Sequence, residues 1–259
     1  MRGIIDLSVT QVILSYIFVV IVLFILKKRG IKREKEMLIS SFRMTFQLIL
    51  TGYVLVYIFK NPNPFITVAL IFIMECFAVY TVFQKFKGKL TSKLKQVIAM
   101  SMVIGTISCL TYFLMIVIRI YPWYDPQYFI PIAGMMIGNS MTGISLAVKS
   151  LLEGMTLQKN VVEEAMILGA SPKMATRGII NKTFDAAIMP TINSMLGMGI
   201  IFLPGMMTGQ ILSGTSPATA VNYQIAIMLG ILGAVSLTVI LLLHFGYRSF
   251  FNEEDQLIQ

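Results

Sequence analysis

Polar and charged side chains interrupt several long apolar stretches of this 259-residue chain. Those that could bind an ion or make hydrogen bonds there are Arg43, Gln47, Glu75, Asn139, Ser140, Asn193 and Ser194. An unsatisfied polar group costs several kcal/mol in hydrocarbon, so these side chains should face protein or water. Carboxylate and amide oxygens suit hard metal ions, which makes Glu75, Asn139 and Asn193 the first candidates for lining a hydrophilic path.

The same residues also have a structural interpretation, which the sequence leaves open. Arg43 and Gln47 are four residues apart and share one face of a helix. Glu75 could pair with Arg43 or stay protonated, because an ionised acid at the centre of a membrane helix costs roughly 2.5 to 3.5 kcal/mol on insertion scales. The amides of Asn139 and Asn193 could bond neighbouring helices instead of lining a path.

The sequence contains no catalytic motif. It has no HExxH, no nucleophile elbow and no Walker A sequence, so no cofactor is expected in this chain. If the protein uses ATP, another chain must bind the ATP and Mg²⁺. The single histidine, His244, is interpreted as an interfacial residue, because no other ligand lies at metal-binding spacing. Cys76, Cys109 and most of the 19 methionines are interpreted as packing residues, and the metal ligands stay unknown.

The elements that carry these side chains are predicted to be membrane-spanning helices. Hydrophobic residues make up 56% of the chain and charged residues 13%, and the mean hydropathy is +0.80, whereas soluble domains carry about a quarter charged residues. Apolar runs of about 20 residues can cross a bilayer. The sequence predicts one all-α, polytopic membrane domain over 1–259, with about seven transmembrane helices at Ile4–Leu26, Met37–Phe59, Phe65–Phe83, Gln96–Ile118, Tyr128–Val148, Ala186–Leu203 and Val221–Phe245.

The distribution of basic residues predicts the orientation of these helices. If successive spans cross the membrane in alternating directions, 18 of the 21 lysines and arginines lie on one side, and the other three are Arg2, Lys60 and Arg119. The positive-inside rule makes the side with 18 cytoplasmic. The N-terminus is therefore predicted outside the cell membrane and the C-terminus in the cytoplasm. The net charge of +9 follows from this asymmetry and from anionic membrane lipid, so no nucleic-acid partner is expected. The Gly-rich stretch 204–220 is not placed.

One cytoplasmic loop, at about 149–185, has the pattern of a folded knob. Its distinctive residues are Glu163, Glu164, Ala165, Gly169, Ala170, Ser171 and Pro172. An acidic and then apolar helix should stop at the glycine. Ser171 is a good N-cap and Pro172 a good first-turn residue, so a second helix is predicted to begin there and run through Arg177 toward the membrane. The alternative is a solvated connection without a partner.

Glu163, Ala165 and Gly169 resemble the EAA loop of ABC-transporter permeases, whose coupling helix docks in a groove on the ATPase subunit. Glu164 replaces the expected alanine, and Asn181-Lys182 replaces an expected Leu-Pro pair. The flanking sequence resembles the Fet-type iron-export ABC transporter permease family, which includes the plant aluminium-tolerance permeases. The similar stretches are Arg43, Gln47-Leu48, Gly52-Tyr53-Val54-Leu55, Ile130-Pro131-Ile132-Ala133-Gly134-Met135, Gly138-Asn139-Ser140-Met141, Leu168-Gly169-Ala170-Ser171-Pro172, Pro190-Thr191 and Leu203-Pro204-Gly205-Met206-Met207-Thr208-Gly209.

The resemblance implies a permease subunit that forms a homodimer, pairs with two cytoplasmic ATP-binding subunits and moves an iron-like metal ion, or a metal-linked solute, out of the cytoplasm. The alternatives are an ABC importer permease served by an external binding protein, and a non-transport membrane scaffold. Two GxxxG spacings, Gly134 to Gly138 and Gly205 to Gly209, let helices approach closely, either within one chain or at a dimer seam.

Overall fold

The computed structural model describes residues 7–258, which fold as α-helices with no β-strand among them. The helices are α1 Val9–Ser15, α2 Ile17–Arg29, α3 Glu34–Lys60, α4 Pro64–Lys85, α5 Ser92–Tyr112, α6 Pro126–Leu157, α7 Lys159–Ile167, α8 Pro172–Ala175, α9 Arg177–Gly197, α10 Gly205–Leu212 and α11 Pro217–Gly246. A π-helical segment, Phe113–Ile118, extends α5, and a 3-10 turn, Tyr247–Phe250, follows α11. The all-α prediction is confirmed for these residues.

Six helices in the described part of the chain are long and apolar enough to cross a membrane. They are Val9–Arg29, Glu34–Lys60, Pro64–Lys85, Ser92–Ile118, Pro126–Leu157 and Pro217–Phe250. Each matches one of the predicted spans, although residues 4–6 of the first predicted span lie outside the described residues. Helices extend past the apolar runs because polar residues at their ends continue the backbone hydrogen bonding.

The predicted span Ala186–Leu203 is the exception, because α9 begins earlier and ends earlier than predicted. α9 ends at Gly197, and the chain then reverses at Gly199, which has φ +84° and donates its N–H to the Phe202 carbonyl oxygen at 3.0 Å. The first half of α9 carries Arg177, Lys182 and Asp185, which lowers its hydropathy, and α9 is not among the six apolar helices. The count of seven spans therefore stays a prediction.

The chain divides into two compact units, 1–62 with 212–214, and 63–211 with 215–259. In the first unit, α2 and α3 form a hairpin that turns after Gly30, which has φ +67°. The Tyr16 hydroxyl lies in hydrogen-bond contact with Thr45 Oγ1. Most side chains of this hairpin are exposed and apolar, which suits contact with membrane lipid.

The second unit contains α4, α5, α6, α9 and α11, and two antiparallel helix pairs form its centre. In the α5–α11 pair, a Cβ built on Gly105 would lie 2.8 Å from Thr238 Cα, so the two backbones approach closely there. In the α6–α9 pair, Ser150 Oγ and Thr183 Oγ1 are hydrogen-bonded at 3.2 Å. The core between these helices consists mainly of fully buried aliphatic and methionine side chains.

The contacts between helices fix their directions within the second unit. Thr67 at the start of α4 donates to the Tyr124 carbonyl oxygen just before α6, at 3.2 Å, so α4 and α6 begin at the same end. Met136 of α6 lies next to Gly230 of α11, and Gly143 of α6 lies next to Val235 of α11. Because the residue numbers rise together along both helices, α6 and α11 also run in the same direction. Helices α5 and α9 run in the opposite direction.

Basic residues of the second unit collect at the end where α4, α6 and α11 finish. They are Lys85, Lys87, Lys89, Lys93, Lys95, Lys149, Lys159, Lys173, Arg177, Lys182 and Arg248. At the opposite end of this unit, Arg119 is the basic residue among those described. The helix directions therefore agree with the charge asymmetry on which the predicted orientation rests, and we call the crowded end the basic end.

Candidate functional site

Glu75 lies in the core of the second unit. Its side chain is 3% exposed, and Oε1 accepts a hydrogen bond from Thr106 Oγ1 on α5 at 2.8 Å. The same hydroxyl is 2.7 Å from the Met102 carbonyl oxygen, so its single proton is shared between two acceptors. Glu75 Oε2 has no hydrogen-bond partner among the described residues. The carboxyl group is thus held by one shared hydrogen bond, and one of its oxygens is buried without a partner.

Asn139 and Asn193 lie on the open side of the α6–α9 hairpin, and both side chains are exposed. Gly143 faces the Ala187 carbonyl oxygen across this hairpin. Asn139 is four residues from Gly143 and Asn193 is six residues from Ala187, so at 1.5 Å per residue the two amides lie at nearly the same depth. The structure therefore places the predicted amide pair at one level, on adjacent helices.

The polar neighbours of these amides differ from them in exposure. Ser140 is fully buried, and its Oγ has no hydrogen-bond partner within residues 7–258. Ser194 is half-buried and donates to the Pro190 carbonyl oxygen at 2.9 Å. Asn139 donates to the Met135 carbonyl oxygen at 2.7 Å, which leaves its amide oxygen available to a ligand.

Arg43 and Gln47 lie on α3 and belong to the first unit, whereas Glu75 belongs to the second. Both α3 side chains are exposed. The predicted pairing of Arg43 with Glu75 would join the two units, and it stays a prediction.

The predicted knob is formed by α7 and α8 at the basic end, and its glycine turn has the predicted form. Gly169 has φ +92°, a conformation that favours glycine. The Ala170 N–H donates to the Ala165 carbonyl oxygen at 3.0 Å, and the Gly169 N–H donates to the Met166 carbonyl oxygen at 2.9 Å. These two bonds form a Schellman motif, which ends α7.

The second helix of the knob is shorter than predicted. Ser171 has the extended backbone of an N-cap and Pro172 occupies the first turn, although the Ser171 side chain makes no capping bond. α8 ends at Ala175, and the buried Thr176, whose Oγ1 donates to the Pro172 carbonyl oxygen at 2.8 Å, separates it from α9. α9 then begins at Arg177. The first part of the predicted loop, from Lys149, is helical, since α6 continues to Leu157.

The acidic residues of the knob differ in their surroundings. Glu163 is half-buried, and its carboxylate is 3.9 Å from Lys159 Nζ, whereas Glu164 is exposed. Glu164 therefore remains available to a basic partner surface.

Exposed apolar side chains on the knob are a feature that the sequence interpretation missed. Ile167 is 83% exposed and Leu168 is 88% exposed. Leu157, Val161 and Met174 are exposed beside them. Outside the predicted membrane spans, a cluster of apolar surface is typical of a protein–protein contact. The signal in the sequence was the run Met166-Ile167-Leu168 directly before the helix-ending glycine.

Of the four glycines in the two GxxxG pairs, only Gly134 packs closely against another helix of the chain. A Cβ at Gly138, Gly205 or Gly209 would meet nothing within 4 Å, and at Gly134 it would meet the end of the Met74 side chain at 3.3 Å. Gly138, Gly205 and Gly209 lie on open helix faces, so a dimer seam stays a prediction for them. The tight contacts are made by other glycines, namely Gly105, Gly143, Gly154, Gly197 and Gly230.

No group of three or more His, Cys, Asp or Glu side chains comes together within residues 7–258 as a metal centre. Both cysteines are free: Cys76 is exposed and Cys109 is half-buried. His244 is exposed near the end of α11, and its ring lies edge-on to Phe245.

Comparison with known proteins identifies the family of this chain. Residues 9–251 match the model of the uncharacterised protein family UPF0014. The chain belongs to the UPF0014 family. Its six apolar helices and the membrane proteins among its UPF0014 relatives make it a multi-pass membrane protein. No solved structure matches the chain significantly.

Relatives come from bacteria and plants and align over nearly the whole chain. The UPF0014 membrane protein YjkA of Bacillus subtilis is 33% identical, covering 95% of this chain and 96% of the relative. Protein ALUMINUM SENSITIVE 3 of Arabidopsis thaliana is 33% identical, covering 94% and 87%. The probable iron export permease protein FetB of Escherichia coli is 32% identical, covering 95% and 93%. The resemblance to the Fet-type and aluminium-tolerance permeases is thereby confirmed.

Proposed function

We propose that this UPF0014 protein is the permease subunit of an ATP-driven exporter that moves metal ions out of the cytoplasm. A relative that aligns over nearly the whole chain is named as a probable iron export permease. The observation that carries the proposal is the exposed apolar surface of the α7–α8 knob, around Ile167 and Leu168, at the basic end of the bundle. A separate ATPase subunit, which binds ATP and Mg²⁺, would cover this surface.

The knob is well placed to transmit movement into the bundle. Only Gln158 separates α6 from α7, and only Thr176 separates α8 from α9. Val162 anchors α7 in the core with 1% exposure. Next to the knob, a Cβ on Gly154 of α6 would lie 2.6 Å from Cγ2 of Ile179 on α9. The two helices are therefore closely packed at this point. A displacement of the knob by the ATPase would therefore move the α6–α9 hairpin as a body.

That hairpin carries Asn139 and Asn193, and we propose that these amides line the translocation path. Both are exposed in the single chain, and exposure of an amide to lipid is costly. Gly138 and Thr142 lie within one turn of Asn139 on α6. Thr142 makes this face polar, and Gly138, where an added Cβ would meet nothing within 4 Å, leaves it uncrowded. A second copy of the chain would cover it, so that the path forms between the two permeases of a homodimer.

The metal-export proposal is tested by efflux from cells that hold this permease and its ATPase. Cells loaded with labelled iron should lose it faster than cells that carry the double variant Asn139→Leu, Asn193→Leu, provided both proteins reach the membrane equally. Leucine keeps the approximate side-chain size but removes the amides. Equal efflux from the two strains would contradict the proposed path.

We also propose seven membrane crossings, with α9 as the sixth and the basic end in the cytoplasm. Near the first residues of α9, Ile179 contacts Gly154 at the basic end. Directly after its last residue, Met198 Sδ lies 3.7 Å from Gln224 Nε2, near the start of α11. α9 therefore extends from the basic end to the opposite end of the second unit. At 1.5 Å per residue, its 21 residues are about as long as the hydrocarbon core is thick.

Single-cysteine labelling tests this orientation in a chain without native cysteines. Lys87 and Tyr121 are both exposed loop positions at opposite ends of the second unit. Cysteine at Tyr121 should react with a membrane-impermeant maleimide in intact cells, and cysteine at Lys87 should react only after permeabilisation. A reporter fused after the last residue should be cytoplasmic. Labelling of Lys87→Cys in intact cells would contradict the seven-span topology.

Glu75→Gln separates a role in transport from a structural role. The amide keeps the size of the side chain and can still accept from Thr106, so the fold should persist. If the unpartnered Oε2 receives the transported ion or a proton, metal efflux should fall by about tenfold or more while protein abundance and ATPase association stay unchanged. Loss of folded protein in place of this selective defect would assign Glu75 to structural pairing.

A further inference from the structure

A cavity of about 520 Å³, lined by apolar side chains and by a smaller set of polar ones, opens between α9 and α11 at the basic end of the second unit. Asn181 and Asp185, four residues apart, present one face of α9 to it. His244 and Tyr247, three residues apart, line it from α11 and the turn that follows. Lys173 from α8 completes the polar lining.

The strongest ligand groups in this cavity are uncommitted. None of the ion pairs or hydrogen bonds within residues 7–258 uses the Asp185 carboxylate or the ring nitrogens of His244, and both side chains are exposed. The His244 ring makes only its edge-on contact with Phe245, at 4.7 Å between centroids. A carboxylate and an imidazole from two packed helices therefore line the same cavity, and neither is used by another hydrogen bond or ion pair of the described residues.

The donor set selects a class of ligand. Carboxylate, imidazole, phenol and amide oxygen together suit first-row divalent transition metals, whereas a soft ion such as Cu(I) would select thiolate or thioether groups, which this cavity lacks. Two strong and two weak donors make an open site, unlike the closed four-ligand shell of a structural metal centre. A site with only two strong ligands should bind its ion less tightly than a four-ligand structural centre, which suits a transported substrate.

We propose that Asp185 and His244, assisted by Asn181 and Tyr247, form a loading site for a divalent transition-metal ion at the basic end of the permease. The role as a loading site rests on the proposed export function, which makes the basic end cytoplasmic and the ion the substrate. The Lys173 ammonium group shares the cavity and opposes a bound cation. Removing that charge should therefore tighten metal binding.

Metal titration of the purified full-length permease tests the site without the need for transport. Co²⁺ is a suitable probe, because its visible absorption reports nitrogen and oxygen ligands. The wild-type protein should bind one Co²⁺ at this site, and Asp185→Asn and His244→Gln should each raise Kd by about tenfold or more, at least the effect typical of disturbing a metal site's outer shell. Lys173→Gln should lower Kd.

Glu153→Gln is the matched control, since Glu153 is an exposed acid of the same end that pairs with Lys149 at 3.9 Å and does not line the cavity. It should leave Kd unchanged. Equal Co²⁺ affinity in the wild-type protein, Asp185→Asn and His244→Gln, all monodisperse, would overturn the site. Binding of inorganic phosphate that needs Lys173 and His244, without Co²⁺ binding, would overturn it as well.

Different results would contradict the loading site and the proposed export function. If Co²⁺ binds as expected but no ATPase associates with the chain, the site stands and the export function falls. If the ATPase associates and metal is exported while the variants bind Co²⁺ normally, the loading site alone is wrong.

Discussion

Gly169→Val is expected to abolish association with the ATPase subunit while leaving the protein in the membrane. Gly169 has φ +92°, and a β-branched residue there is strained by about 1 kcal/mol or more. A Cβ at this position meets nothing within 4 Å, so the damage comes from the backbone and not from a clash. Relieving the strain breaks the Schellman bonds and redirects α8, which changes the apolar surface of the knob. The measurement is co-purification with the ATPase in mild detergent, together with permease-stimulated ATP hydrolysis.

Gly169→Asn is the matched control for this prediction. Asparagine tolerates the left-handed conformation far better than valine, so it should keep most of the ATPase association. Glu163→Lys should have a weaker effect than Gly169→Val, because it changes only the acidic edge of the knob and replaces the ion pair with Lys159 by a repulsion. Normal ATPase binding by a well-expressed Gly169→Val protein would contradict the coupling role of the knob.

Gly105→Val is expected to cause the largest loss of folded protein among single changes in the membrane core. The added Cβ would lie 2.8 Å from Thr238 Cα and 2.9 Å from Thr238 N. Because these are backbone atoms, no side-chain rotation relieves the contact, and α5 must move away from α11 in the most extensive helix pairing of the second unit. Overpacking of this kind costs about 1–3 kcal/mol, occasionally more. The monodisperse fraction on size-exclusion chromatography and the thermal midpoint report the loss.

Gly52→Ala is the control, since it adds a methyl group to the exposed face of the membrane helix α3, where nothing lies within 4 Å. Its thermal midpoint should stay close to that of the wild-type protein. If Gly105→Val matches Gly52→Ala in yield and in thermal midpoint, the close α5–α11 packing is not present in the membrane.

The sequence predicted those features that depend on local patterns. The apolar runs predicted the spans that became α3, α4 and α6, because burial in hydrocarbon needs only length and composition. The turn at Gly169 was also predictable, since a glycine after an apolar helix and before Ser-Pro is a local signal. Span ends were predicted less well, because α6 continues through polar residues to Leu157 on backbone hydrogen bonds and core contacts.

Contacts between distant segments could not be predicted in the same way. Thr106 is 31 residues from Glu75, and their hydrogen bond depends on how α4 packs against α5. Asp185 and His244 line one cavity only because α9 and α11 are neighbours, so the spacing in the sequence made His244 seem isolated. Gly105 did carry a signal, since Ser101, Gly105 and Cys109 repeat a small residue every four positions, the spacing that permits close helix approach.

Affinity purification of the intact permease in mild detergent, with mass spectrometry of the proteins that co-elute, tests the central proposal most directly. A cytoplasmic ATPase subunit should co-purify with the wild-type chain. It should be lost from the double variant Ile167→Asp, Leu168→Asp, in which charge replaces the exposed apolar surface of the knob while insertion stays intact. Recovery of the folded wild-type permease without any ATPase, or equal recovery of the ATPase with the double variant, would contradict the proposal that this permease is driven through the α7–α8 knob.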